Sequence, residues 1–267
     1  MRTTLIFAVV LISVLSGFVY AGIIDAPISH WTLDETSGAT VHDSADSHNG
    51  AIAGDPVWTA GKIDGCLDFD SSGDYVNFGD VSQFEFGGND FTIAFWFKTE
   101  GAHDIGGENS GTGNIISKYD INLGRQWLIQ QTADDKIHFD TYSVDSSTGG
   151  DGLVSTGGYG NEWTYVTAVR QGAAKYLYIN GVLDNNGVCN GIVAGTISPV
   201  LIGARSANDY YYRFFNGKID DVRIYDYALS AAEANQLYLI PEPATIALLG
   251  LGALSLIRKN RLIKITI

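Results

Sequence analysis

The clearest pattern in the chain is "DFTIAFWFKTE", where Phe91, Ile93, Phe95 and Phe97 fall on one face of an extended strand and Thr92, Ala94 and Trp96 on the other. Both faces are largely apolar, as a central strand of a two-sheet sandwich requires. Shorter apolar phrases bounded by Gly, Asp and Ser predict further strands at residues 28–33, 65–69, 75–78, 114–119, 126–131, 136–142, 163–170, 175–180 and 201–204. "YLYINGVLD" contains Asn180-Gly181, a pair suited to the two-residue type I′ hairpin turn. In "SAAEANQLY", Ser230 lies three residues before Glu233, a capping box that opens one short helix. The pattern is all-β with a single helix near the end.

The last predicted strand, "FNGKIDDVRIYDYALS", carries an anomaly. With regular alternation Asp220 falls in step with Val222 and Ile224, which turns a carboxylate toward the apolar side. A buried acid needs hydrogen bonds, a cationic partner or a metal ion.

The two ends have a different character. "MRTTLIFAVVLISVLSGFVYAG" places one basic residue, Arg2, before an apolar run and small residues, the pattern of a cleavable secretory signal spanning residues 1–21 with cleavage after Ala21. At the other end, "IPEPATIALLGLGALSLIRKNRLIKITI" sets Pro241, Glu242 and Pro243 before an apolar segment, residues 244–257, followed by Arg258, Lys259 and Arg261. That segment is short against the roughly 20 residues of a spanning helix, and its basic flank favours the cytoplasmic side. Motif, order and position resemble the PEP-CTERM sorting signal of Gram-negative bacteria with extracellular polysaccharide. The resemblance implies recognition by an exosortase, a transient membrane segment, and delivery to the cell surface or its matrix. The extra "LIKITI" after the basic cluster departs from that pattern.

Residues 22–239 remain as one domain. The chain holds 30 acidic against 16 basic residues, a net charge of −14. Such a surface repels phosphates and excludes nucleic acid as a partner, while it attracts divalent cations. Cys66 and Cys189 are the only cysteines. Export makes a bridge between them chemically accessible, but their spacing leaves the question open. The scattered histidines form no zinc pattern.

The succession "W.LDE.SG", "G.CLDFD..GDYV", "FTIAFWFK", "W.YVTAVR", "YLYINGV", "LIGA" and "F.GKIDDVRIYDYALSAAE" resembles the LamG-like jelly-roll domain of the concanavalin A-like lectin/glucanase superfamily. It runs from about Trp31 to Tyr238. The resemblance implies two stacked antiparallel sheets of roughly a dozen strands and, in many members, a calcium ion. Calcium favours six to eight hard oxygens. The loop "HDSADSHNG" supplies Asp43, Asp46 and Asn49, much as the family's Asp-Ser-Ser-Gly-Asn loop does, with Asp46 in place of a usual glycine. In related domains the last long strand lies near the first, so the resemblance implies a structural calcium held by Asp43 and Asp220, with Asp46 or Asn49 assisting. The alternative is that Asp43 and Asp46 cap turns and Asp220 pairs with Arg223 or an amide.

Glycosidases of this superfamily carry a Glu-x-Asp-x-x-Glu strand, because hydrolysis needs two carboxyl groups flanking one bond. Here Glu35, Glu85, Glu100, Glu108, Glu162 and Glu233 are isolated, and no serine elbow, metalloprotease motif or phosphate loop occurs. The expectation is a non-enzymatic module that binds glycans or extracellular proteins, or else a structural, adhesive matrix component; a divergent polysaccharide-cleaving enzyme is the third reading, which the missing carboxylate pair disfavours. Its candidate contact surfaces are two polar loops, residues 100–114 and 143–162, and the row Tyr210, Tyr211, Tyr212 and Arg213. Tyrosine rings stack on sugar faces and keep a hydroxyl for hydrogen bonding.

Overall fold

The computed structural model describes residues 24–101, 111–143, 150–189, 196–207 and 210–240. The predicted signal (1–21), the Pro241-Glu242-Pro243 triplet with the segment 244–257, and parts of both polar loops lie outside the described residues. Along the chain run β1 (Ser29–Trp31), β2 (Thr40–Val41), β3 (Gly50–Ala53), β4 (Val57–Ala60), β5 (Gly65–Asp70), β6 (Tyr75–Asn77), β7 (Phe91–Thr99), β8 (Gly113–Asp120) and β9 (Gly124–Gln131). There follow β10 (Ile137–Thr141), β11 (Asp151–Val154), β12 (Thr164–Gln171), β13 (Ala174–Ile179), β14 (Val182–Val188), β15 (Val200–Ile202), β16 (Arg205–Ala207), β17 (Tyr210–Tyr212), β18 (Asn216–Tyr225) and the helix α1 (Ala231–Tyr238).

These strands form two antiparallel sheets. One is eight-stranded, in the order β14-β13-β12-β7-β18-β5-β4 with β1 added beside β18. The other is ten-stranded, β11-β10-β9-β8-β15-β6-β3-β2, with the β16–β17 hairpin attached at β8. The strand total exceeds the expected dozen because short edge strands such as β2, β16 and β17 join the sheets. Phe91, Ile93, Phe95 and Phe97 of β7 enter the core between the sheets, as their alternation predicts, and meet Trp127, Ile129 and Phe139 from the opposite sheet. Ala94 and Trp96 face outward into a second apolar cluster with Tyr165, Tyr225, Ala234 and Leu237. The helix therefore covers the outer face of the eight-stranded sheet. Its capping box is formed: Ser230 Oγ accepts from Glu233 N, and Ser230 N donates to Glu233 Oε2 at 2.7 Å.

Asn180 (φ 50°) and Gly181 (φ 74°) form the two-residue link from β13 to β14, both in the left-handed region that a type I′ turn demands. At the same sheet edge Lys175 crosses the sandwich. Its buried Nζ donates to Phe139 O and Thr141 Oγ1, each at 3.2 Å, and to Asp151 O, tying the two sheets together.

The alternation of β18 is broken. Its register against β7 shifts between Asp220 and Arg223, and Asp221 takes a positive φ of 52°. This bulge inserts one residue and reverses the facing of the strand beyond it. Ile219, Val222 and Ile224 all enter the core, whereas Asp220 pairs opposite outward-facing Trp96. The expectation that Asp220 shares a face with Val222 and Ile224 is thus corrected.

Candidate functional site

The loop containing Asp43 is closed by its own hydrogen bonds. Asp43 Oδ1 accepts from His30 N (2.9 Å) and Ala45 N (3.0 Å), and Oδ2 accepts from Ser29 Oγ at 2.6 Å. Burial pushes the Asp43 carboxyl upward, but the donors from His30, Ser29 and Ala45 outweigh it and hold it below the usual range. Asn49 Oδ1 accepts from Asp43 N at 2.9 Å, and exposed Asp46 accepts from Ser47 N at 2.8 Å.

Asp220 has a separate set of partners. Its fully buried side chain lies beneath the loop after β4, where Oδ2 accepts from Lys62 N (2.7 Å) and Ile63 N (2.9 Å). Oδ1 has no partner among the described residues. Burial pushes this carboxyl up to about 8, reinforced by Asp221 and Asp34 and opposed by the two amides. Neighbouring Asp221 takes the side-chain partners: His30 Nε2 at 2.7 Å and Arg223 Nη2 at 2.9 Å. Asp43 and Asp220 therefore hold different donors instead of converging on one shared ligand set.

Among the described residues, the acidic group whose oxygens approach within 4.8 Å of one another is Asp55, Asp70 and Asp74. Asp74 is buried and staples the turn: Oδ1 accepts from Asp55 N (2.8 Å) and Oδ2 from Asp70 N (3.1 Å). Its carboxyl is raised by burial first, with Asp70 and Asp55 adding to the rise against those hydrogen bonds. Exposed Asp55 and Asp70 complete a set of hard oxygens that suits calcium in kind. Sequence reasoning missed the group because its members belong to two different turns.

Cys66 and Cys189 are both buried thiols. Cys66 donates to Ala60 O at 3.3 Å, whereas Cys189 belongs to the core between the sheets, 3.4 Å from Thr141 Oγ1. The bridge left open by the sequence is not formed.

The tyrosine row splits by alternation. Tyr211 turns to Tyr75, with stacked rings 4.2 Å apart, while Tyr210 and Tyr212 stack on the other side at 6.1 Å. Tyr210 is 66% exposed. Antiparallel pairing sets Tyr212 opposite Arg205, a residue that the sequence pattern does not single out. The Arg205 guanidinium lies 4.7 Å from the Tyr212 ring and 4.9 Å from the Tyr119 ring, and Arg125 approaches Tyr119 at 5.7 Å. Tyr119 packs with Leu128 and Tyr142 in a cluster separate from the main core. Half-buried Arg213 follows with a positive φ of 55°, and its Nη1 donates to Gln130 Oε1 at 3.3 Å. Gln130 Nε2 in turn donates to Asp140 Oδ2 at 3.1 Å. Stacked tyrosines, guanidinium groups and amides make a surface equipped to hold a polar, ring-shaped ligand.

The family model described as concanavalin A-like lectin/glucanases superfamily matches residues 70–235. The chain belongs to this family. A PEP-CTERM protein-sorting motif matches residues 239–261. No curated protein matches the chain. Among solved structures, the botulinum neurotoxin serotype G binding domain is 16% identical with a TM-score of 0.61, over 80% of this chain and 51% of that one. Domain 4 of AbnA, a GH43 extracellular arabinanase from Geobacillus stearothermophilus in complex with arabinotriose, is 19% identical with a TM-score of 0.59, over 80% and 98% respectively. The binding domain of Paraclostridial Mosquitocidal Protein 1 is 16% identical with a TM-score of 0.62, over 79% and 51%. This concanavalin A-like chain thus spans about half the length of the toxin binding domains it matches. At these identities the likeness shows the shared jelly-roll fold.

Proposed function

We propose that this protein is an exported, non-enzymatic glycan-binding module, delivered to the cell surface or extracellular matrix of a Gram-negative bacterium. The observation that carries the reading is the face built by Tyr119, Arg205, Tyr210, Tyr212 and Arg213, where aromatic rings meet two guanidinium groups whose Nε donors have no acceptor among the described residues, beside an exposed tyrosine. The arabinotriose complex of the structurally similar arabinanase domain supports it, as does the isolation of the glutamates along the sequence. Export follows from the signal read at residues 1–21, and surface delivery from exosortase handling of Pro241, Glu242 and Pro243, in line with the motif match at residues 239–261. Among the described residues no helix is long and apolar enough to cross a membrane.

A glycan array probed with the secreted portion, with and without chelator, tests the binding. Selective retention supports the reading, and retention lost on chelation adds a calcium requirement. Uniform, non-selective adhesion supports a structural matrix component instead. Release of reducing sugar from any retained polysaccharide overturns the non-enzymatic assignment. Replacing the Pro241-Glu242-Pro243 triplet by alanines leaves the protein in the membrane fraction if the sorting reading holds; unaltered processing removes it.

A further inference from the structure

The tyrosine-lined face concentrates positive charge in a protein whose net charge is −14. Arg205 is only 8% exposed, is held between two tyrosine rings, and has no hydrogen-bond partner for Nε among the described residues. The same is true of Arg213 Nε. Neither guanidinium forms an ion pair among the described residues. For Arg213, burial and the neighbouring Arg205 charge both weaken the protonated state, with tyrosines and no carboxylate among the leading opposing influences. The acid at this face, Asp140, is engaged by Gln130, and burial raises its carboxyl despite His138, Lys175 and Arg205. Asn114 pairs in register with Gln130, so its side chain shares that face, and both of its side-chain polar atoms are buried without partners among the described residues. Arg213 also occupies the left-handed region, a backbone conformation that side-chain-bearing residues adopt only under strain.

Buried donors without acceptors are costly, and like charges side by side add to the cost. An anionic ligand would relieve both. We propose that, given the glycan-binding reading above, this face selects acidic sugars, with Arg205 and Arg213 receiving the carboxylate of a hexuronate while Tyr210 and Tyr212 stack on a sugar ring. A planar carboxylate accepts two parallel N–H bonds from a guanidinium. Asn114 supplies a donor and an acceptor for ring hydroxyls.

The test is a binding titration of the secreted portion with polygalacturonate, the same polymer after reduction of its carboxylates to alcohols, dextran sulfate, and neutral arabinan. The expected result is binding to polygalacturonate, with loss of roughly tenfold or more in affinity on carboxyl reduction and in Arg213→Gln. Arg213→Lys keeps the charge, loses the fork, and recovers only part of the affinity. Wild type with the reduced polymer keeps the test independent of any folding defect in the variants. Equal binding of native and reduced polymer, or of arabinan alone, overturns acidic selectivity and leaves glycan binding standing. Preference for dextran sulfate with the same arginine dependence overturns the carboxylate assignment. Binding to none of the polymers overturns this proposal, whereas the broader glycan-binding reading falls only if the array also shows no selective retention.

Discussion

Asp220 stands directly opposite Trp96 in the pairing of β18 with β7, on the face turned away from the core. The bulge that puts it there replaces one burial problem with another. The carboxyl escapes the sandwich interior but is sealed under the loop carrying Lys62 and Ile63, where a side chain on Gly61 would come within 2.6 Å of its Oδ2.

That burial predicts a particular pH dependence. The folded pKa of about 8 lies above the ordinary 3.8, so the folded protein holds a proton that the unfolded chain releases. The protonated acid therefore favours folding most at low pH, and this contribution is lost as pH rises from about 4 to about 8. Asp220→Asn keeps an acceptor for the two amides and cannot ionise. Thermal melts are expected to show the variant at least as stable as wild type at pH 8, with the difference shrinking toward pH 4. Asp220→Ala strands both amides and lowers stability by about 2–3 kcal/mol. A constant wild-type-to-Asn difference across this range refutes the assignment.

Asp43 is expected to behave in the opposite sense. Its depressed pKa means that the ionised carboxylate stabilises the fold above the ordinary carboxylate range, and that this stability is lost as pH falls through the folded pKa. Asp43→Asn loses the acceptor for Ser29 Oγ and costs about 1–3 kcal/mol at pH 7, a gap that closes in acid. Because protein donors satisfy this carboxylate, adding a chelator leaves the gap between variant and wild type unchanged. A gap that chelation abolishes returns Asp43 to the calcium site expected from the loop.

Local features of the fold were legible wherever one segment determined its own structure: the alternation of β7, the Asn180-Gly181 turn and the Ser230–Glu233 cap. Features set by distant segments were not. The bulge at Asp220–Arg223 depends on how β18 fits β7, more than 100 residues earlier in sequence by the Asp220–Trp96 pairing. Arg205 acquires its role only when the hairpin brings Tyr212 opposite and β8 brings Tyr119 beneath it. The same holds for Asp55, Asp70 and Asp74, which look like ordinary turn acids until the turns meet.

The Asn180-Gly181 turn couples the hairpin to α1. A Cβ on Gly181 would lie 2.9 Å from Asn235 Nδ2, 3.0 Å from Asn235 Cα and 3.1 Å from Tyr238 Cβ. Gly172 also has a positive φ, 57°, but nothing stands within 4 Å. Gly172→Ala thus reports backbone strain alone, about 1–2 kcal/mol, and Gly181→Ala adds the collision with the helix. Denaturant titration is expected to find Gly181→Ala the more damaging by about 1 kcal/mol or more. Equal losses would mean that the turn is not packed against the helix.

The two cysteines make a final prediction that separates export chemistry from geometry. An oxidising compartment permits a bridge, but Cys66 lies on a strand beside Asp220 and Lys218, while Cys189 lies in the core. Burial, then the Asp220 charge, pushes the Cys66 thiol up to about 12, so little reactive thiolate exists at neutral pH. Native secreted protein treated with iodoacetamide is expected to gain no adduct. The same protein in denaturant without reductant is expected to gain two, one on each thiol. An intact mass unchanged in denaturant would reveal a bridge, and with it a different packing of β5 against the end of β14.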